Sequence, residues 1–313
     1  MLFLRYIVER LVYAIPVLLG VTIFVFVALQ FVPGDPVRIM MHGRISDAEV
    51  AAIYHRLGMD RPLPIQYVEF VRKAVTGDLG ISIIQNANVS KLVGEKLSPS
   101  LWLLAMSTVL SVVIALPLAL LAAMRRNRPI DHAIRIASMV GFAMPPFWIG
   151  LILMLVFGLW LGLFPISGFG NGPLDHVRHL FLPALTIACF LAPILVQSLR
   201  SSMLDVLAAE FIEVARAKGL GEWRILVKHV LRNALIPVIT VLAVNIGWLV
   251  SGAVIVEYVF SLPGLGSLLV RSVGYRDYPV IQGLSLVFAV IVVVVNLLAD
   301  LSYMLVDPRV LRR

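Results

Sequence analysis

Six runs of this chain carry no charged residue at all: 11–31, 101–124, 136–164, 180–199, 234–256 and 280–299. Each reaches the roughly 20 residues that an α-helix, rising 1.5 Å per residue, needs to cross a hydrocarbon layer about 30 Å thick. An all-α membrane protein with six transmembrane helices is therefore expected. Composition agrees, since hydrophobic residues make up 60%, charged residues 14%, and the mean hydropathy is +0.96. A soluble domain with a solvated surface does not reach such values. An even number of crossings puts both termini on one side.

Orientation follows Lys and Arg in short loops close to the span ends. Arg5 and Arg10 precede the first run. Arg125, Arg126, Arg128 and Arg135 lie between the second and third, loop 201–232 adds more, and Arg309, Arg312 and Arg313 close the chain. The opposite short loops hold Arg178, Arg271 and Arg276. Cytoplasmic termini are the expectation. Segment 33–96 lies on the other face with eight Lys and Arg, but loops beyond about 60 residues are largely exempt from the rule. The net charge of +8 sits where insertion bias would put it, and no basic face is interleaved with stacking aromatics, so no nucleic-acid partner is expected. The single cysteine, Cys189, lies in the fourth run and excludes an intramolecular disulfide. The first run is too long for a typical signal peptide and lacks a small-residue cleavage site, so it reads as an anchor.

Beyond the first span, Pro33-Gly34-Asp35-Pro36 stops the helix. Ser46 and Glu49 then have capping-box spacing, which predicts a short helix to about Leu57. A second helix is expected over 64–75, ending at Gly77. Both are too short to form an independent domain and are expected on the outer ends of the spans. The organisation reads as a tail and first span (1–32), an external segment (33–98), a five-helix core (99–306) containing loop 201–232, and a tail (307–313). Pro117, Pro145, Pro146, Pro183, Pro193 and Pro237 fall in or at the ends of spans, where they free backbone carbonyls and kink helices. Gly158 and Gly162 have a spacing that permits close helix approach.

Catalytic constellations are missing: no His-Glu-x-x-His pair, Gly-x-Ser-x-Gly elbow or Gly-x-x-x-x-Gly-Lys phosphate loop occurs. No catalytic residue is assigned, and no ATP site is expected in the chain itself. His176 and His179 flank Arg178 with no further metal ligand evident, and they read as solvated histidines rather than a metal site. Polar groups at membrane depth default to function. Gln197, Asn245 and Asn296 are thus candidates for a translocation path, with Asp300 and Glu257 near span ends; interhelical hydrogen bonding is the competing reading. None of the six runs holds a carboxylate, which lowers the case for a proton-driven carrier.

Loop 201–232 is polar and basic between two apolar runs, and its centre reads EFIEVARAKGLGEWRILVKHVLRNALIP. Residues 208–218 are rich in helix formers, Gly219 suits a left-handed helix end, and Gly221 can cap a helix running toward Arg232. Two short helices meeting at a glycine turn are expected. A solvated charged hairpin would have the same geometry.

Around Glu213, Ala215 and Gly219 the string resembles the EAA coupling loop of bacterial ABC importer permeases. The wider likeness is to the dipeptide, oligopeptide, nickel and glutathione branch of those permeases. It rests on RLVYAIPVLLGVTIFVF, LGMDRPLPIQY, GDLGIS, RSSMLDVLAAEFIEVARAKGL, HVLRNALIPV, VEYVFSLPGLG, RDYPVIQG and DLSYMLVDPRV, in that order along nearly the whole chain. Val214 departs from the broad consensus by replacing its first alanine. His229 and Arg232 stand where many importers have isoleucine and proline. The resemblance implies the type I importer permease fold in a bacterial inner membrane, a second homologous permease, two cytoplasmic ATPases that carry ATP and Mg, and an external binding protein that delivers cargo. It implies ATPase coupling through Glu210, Glu213, Ala215, Arg216, Ala217, Lys218 and Gly219. A secondary carrier or channel without an ATPase is the alternative, and an intramembrane enzyme a more distant one.

Overall fold

The computed structural model describes residues 2–33 and 46–306. The turn expected past Pro33 and the tail 307–313 lie outside the described residues. Helices in chain order are α1 (Leu2–Gln30), α2 (Asp47–Leu57), α3 (Leu63–Val75), α4 (Val89–Met124), α5 (Pro129–Ala143) and α6 (Pro146–Leu153). They continue with α7 (Pro173–Leu207), α8 (Glu210–Ala217), α9 (Glu222–Ile225), α10 (Arg232–Val259), α11 (Leu265–Tyr275) and α12 (Tyr278–Val306). π-Helical turns, Met154–Trp160 and Leu226–Leu231, extend α6 and join α9 to α10. Among the described residues, five helices are long and apolar enough to cross a membrane, or up to six if one bent pair counts as a single span.

That bent pair occupies the run 136–164, where Pro145 and Pro146 lead to the expectation of a kink. Helices α5 and α6 meet at 103°. Met144 and Pro145 each precede a proline, whose ring disfavours α geometry in the residue before it. Both take extended backbone, with ψ of 134°, and two successive residues without an N–H leave the turn unbridged.

The chain divides into two compact units. One comprises Phe3–Ser100 with Pro263–Val293. Its α2 begins as the sequence predicts: the Ser46 hydroxyl accepts from the Glu49 amide, and the Glu49 carboxylate accepts from the Ser46 amide at 3.0 Å. Gly58 closes α2 in the left-handed region at φ 70°. Helix α3 meets the C-terminal part of α1 through Tyr67. The Tyr67 hydroxyl is 3.0 Å from Thr22 Oγ1, and its ring meets Phe26 edge-on at 5.5 Å. The strings GDLGIS and RDYPVIQG acquire a physical reason in the same unit. Buried Asp277 accepts from the Ser82 hydroxyl at 2.5 Å and from the amides of Ile83 and Ile84 at 3.3 and 3.4 Å.

The other unit comprises Leu101–Leu262 together with the chain from Val294 onward. Its core is aliphatic and centres on α7, where Leu180, Leu182, Leu195 and Met203 are fully buried. Lipid tails are as apolar as leucine, so within the span these side chains hold neighbouring helices by close van der Waals packing rather than by removal from water. Ile212, Ala215, Ile225 and Val230 belong to the same core, so the hairpin between α7 and α10 is anchored rather than free.

Candidate functional site

The hairpin is built by local rules. Helix α8 starts with Glu210 and Glu213 in its first turn and has Arg216 in its last, which complements the helix dipole at both ends. It ends in a Schellman motif: the Gly219 amide donates to the Arg216 carbonyl at 2.9 Å, and the Leu220 amide to the Ala215 carbonyl at 3.2 Å. This motif requires a left-handed residue, and Gly219 supplies it at φ 77°. Gly221 then takes extended backbone (ψ 145°) as the cap of α9. Across the turn, Arg216 Nε donates to Glu222 Oε1 at 2.8 Å, and a second guanidinium nitrogen reaches Oε2 at 3.4 Å. That pairing, with Glu213 nearby, raises the Arg216 pKa further above its already high value. From Glu222 the helix runs without a break into span five.

Ala215 faces inward and is buried, whereas Glu210, Glu213, Arg216, Ala217, Lys218 and Gly219 are exposed. Reading the loop by its charges misses three neighbours. Phe211, Val214 and Trp223 are 48%, 52% and 67% exposed on a segment outside the apolar runs. Large apolar side chains in a polar hairpin are the signal that would have found them.

The three candidate path residues do not share one cavity. Asn245 is half-buried and donates from its side-chain amide to the Val241 carbonyl at 2.8 Å. It lines a small apolar cleft with Pro146, Phe190 and Trp248. There Phe190 stacks between Phe142 and Trp248, with both centroid separations 5.1 Å. Gln197 instead lines a cleft with Arg126, Arg135 and Arg200. Asn296 is half-buried on α12, and buried Glu257 sits near the end of α10. The histidines are used locally: Nδ1 of His176 donates to the Phe169 carbonyl at 2.8 Å, and Nδ1 of His179 to that of Asp175 at 2.9 Å.

An ion pair that the sequence reading passed over lies in this unit. Asp131 on α5 is fully buried, and Arg200 on α7 holds both its oxygens, Nε to Oδ1 at 2.7 Å and Nη2 to Oδ2 at 2.6 Å. The Asn127 amide also donates to Asp131, at 2.9 Å.

Comparison with known proteins decides the family. Residues 115–312 match the family described as binding-protein-dependent transport system inner membrane component, and residues 3–97 match its N-terminal companion. The chain belongs to this family. It is a permease subunit of an ABC importer. Similar proteins include the oligopeptide transport system permease protein AppB of Bacillus subtilis, 42% identical over 97% of this chain and 98% of that one. The glutathione transport system permease protein GsiC of Salmonella choleraesuis is 37% identical over 98% and 99%. Among solved structures, an inward-facing MetNI methionine ABC transporter chain matches with a TM-score of 0.58 at 17% identity, covering 69% of this chain and 96% of that one. The last comparison shows the fold, an importer permease core of the type I class.

Proposed function

We propose that this permease moves peptide-like solutes, oligopeptides or glutathione among them, across a bacterial cytoplasmic membrane with both termini in the cytoplasm. A second homologous permease completes the pathway, two cytoplasmic ATPases hydrolyse Mg-ATP, and an external binding protein delivers the cargo. The names of the full-length relatives support the cargo class. In this reading the chain has an anchor span, an external segment 33–98 and a core 99–306, with Asn245 and Asn296 along the path, while Gln197 lines the separate basic cleft.

The observation that carries the reading is the anchored hairpin. Ile212 and Ala215 fasten it to the core while Glu213, Phe211, Val214 and Trp223 project from it. A helix end anchored in the core that exposes apolar side chains among charges of both signs suits docking to a partner that must push on the spans. ATP-driven closure of the ATPases would then move α10 directly, because α9 continues into it.

The test is recruitment of the ATPases to the permease pair. Aromatic anchors at interface centres typically cost about 2 kcal/mol or more on truncation, so Phe211→Ala with Trp223→Ala should weaken ATPase association roughly 30-fold or more, with normal membrane insertion. Unchanged association in that variant removes the docking role. Cargo is read from the ligand retained by the partner binding protein, identified by mass spectrometry; a ligand without peptide character refutes the cargo assignment.

A further inference from the structure

We infer that the cleft lined by Arg126, Arg135 and Gln197 binds the phosphodiester of an anionic phospholipid headgroup, in the membrane leaflet on the hairpin side. The inference rests on the orientation proposed above for naming that leaflet as cytoplasmic, but the site itself rests on geometry.

The cleft has a volume of about 370 Å³, and Asn127, Met139, Arg200 and Leu204 complete its lining. Its place in the chain is specific. Arg126 follows the end of the uncharged run 101–124, Arg135 directly precedes the run beginning at 136, and Arg200 directly follows the run ending at 199. Three spans therefore leave the apolar layer at this cleft, which is the depth of lipid phosphates.

Charge accounting inside the cleft leaves two cations over. Asp131 is committed to Arg200 through both oxygens and to the backbone N–H of Asn127. Arg200 and Asp131 cancel, and the pair is nearly inaccessible, at 16% and 0% side-chain exposure. The guanidinium groups of Arg126 and Arg135 both remain exposed and make no ion pair among the described residues. Two guanidinium forks match the oxygens of a phosphodiester, the favoured partner of planar bidentate donors. The side-chain amides of Gln197 and Asn127 add hydrogen-bond capacity for a glycerol or phosphate oxygen, and Met139 and Leu204 offer apolar surface for the start of an acyl chain. A free phosphate would use the arginines but not that apolar edge. Basic pockets between spans on this side of a membrane are the expected setting for an anionic headgroup.

The test uses the complete transporter, purified in detergent and examined by native mass spectrometry after exchange into mixed phosphatidylglycerol and phosphatidylcholine. Each arginine near a headgroup contributes about 5-fold in affinity, so the pair contributes about 30-fold. Wild type should retain phosphatidylglycerol over phosphatidylcholine, and Arg126→Gln with Arg135→Gln should lose about 30-fold of that preference. Arg128→Gln, in the same loop but outside the cleft, should keep it. Equal retention by wild type and the double variant overturns the assignment. So does displacement of the lipid by millimolar inorganic phosphate, which would identify a free-anion site, or loss of ATPase association with unchanged lipid retention, which would identify a protein contact. Intact ATP-driven uptake by wild type without selective lipid retention separates failure of this site from failure of the transport reading.

Discussion

Arg200 holds the fully buried Asp131 through two parallel hydrogen bonds of 2.7 and 2.6 Å, tying α7 to the first turn of α5, the end opposite its 103° bend into α6. The fork fixes one end of a helix whose other end is broken by Met144-Pro145-Pro146.

Removing one partner of such a pair leaves an uncompensated buried charge, at about 3–5 kcal/mol. Asp131→Asn should destabilise the permease by about 3 kcal/mol, visible as earlier thermal loss of the monodisperse complex in detergent. Asp131→Leu combined with Arg200→Met should recover most of that loss. A cost below about 1 kcal/mol for Asp131→Asn would mean that the pair behaves as a solvated surface bridge.

Gly219 isolates backbone strain from crowding, because a Cβ there would meet nothing within 4 Å while φ is 77°. A β-branched side chain in the left-handed region costs roughly 1–2 kcal/mol, and asparagine tolerates it better. Gly219→Val should therefore uncouple ATP hydrolysis from uptake with normal expression, and Gly219→Asn should retain substantial coupling. Equal behaviour of the two variants would separate function from the Schellman turn.

Gly283 in the RDYPVIQG string isolates crowding instead. A Cβ there would lie 2.9 Å from Val89 Cγ1 and 3.2 Å from Leu79 Cβ, both buried residues. Overpacking of this kind costs about 1–3 kcal/mol, offset by up to about 1 kcal/mol of helix propensity. Gly283→Ala should lower thermal stability, whereas Gly94→Ala, on α4 with nothing within 4 Å of its Cβ, should leave it unchanged or raise it. Reversal of that order would contradict the packing described for this unit.

Much of the helical layout was legible because its causes are local. Uncharged runs mark spans, Ser46 with Glu49 announces α2, and Gly219 with Gly221 announces the hairpin turn. What stayed hidden depends on distant residues. Asp131 and Arg200 are 69 positions apart, and in sequence each reads as one more interfacial charge. The consecutive prolines at 145 and 146 signalled a kink, but the angle follows from both preceding residues being extended. Asn245 and Gln197 looked alike as polar residues in apolar helices, and only the fold sends one to an aromatic stack and the other to a basic cleft. Phe211 and Trp223 were masked by their context, because apolar residues in helices ordinarily face a core.

The direction of the chain through the membrane is open to labelling. In a Cys189→Ser background, single cysteines at Ser46 and Ser201, which are both exposed, should react with an impermeant maleimide from opposite sides. Reaction from the same side would contradict the proposed topology.

The central claim, that energy enters through cytoplasmic ATPases acting on this permease, is tested most directly by reconstituted uptake. Proteoliposomes holding this chain, its sister permease, the ATPases and the binding protein should accumulate cargo when ATP is held constant and the proton gradient is collapsed. The chain alone should neither accumulate cargo nor hydrolyse ATP. Uptake that follows the proton gradient and ignores ATP depletion would contradict the account.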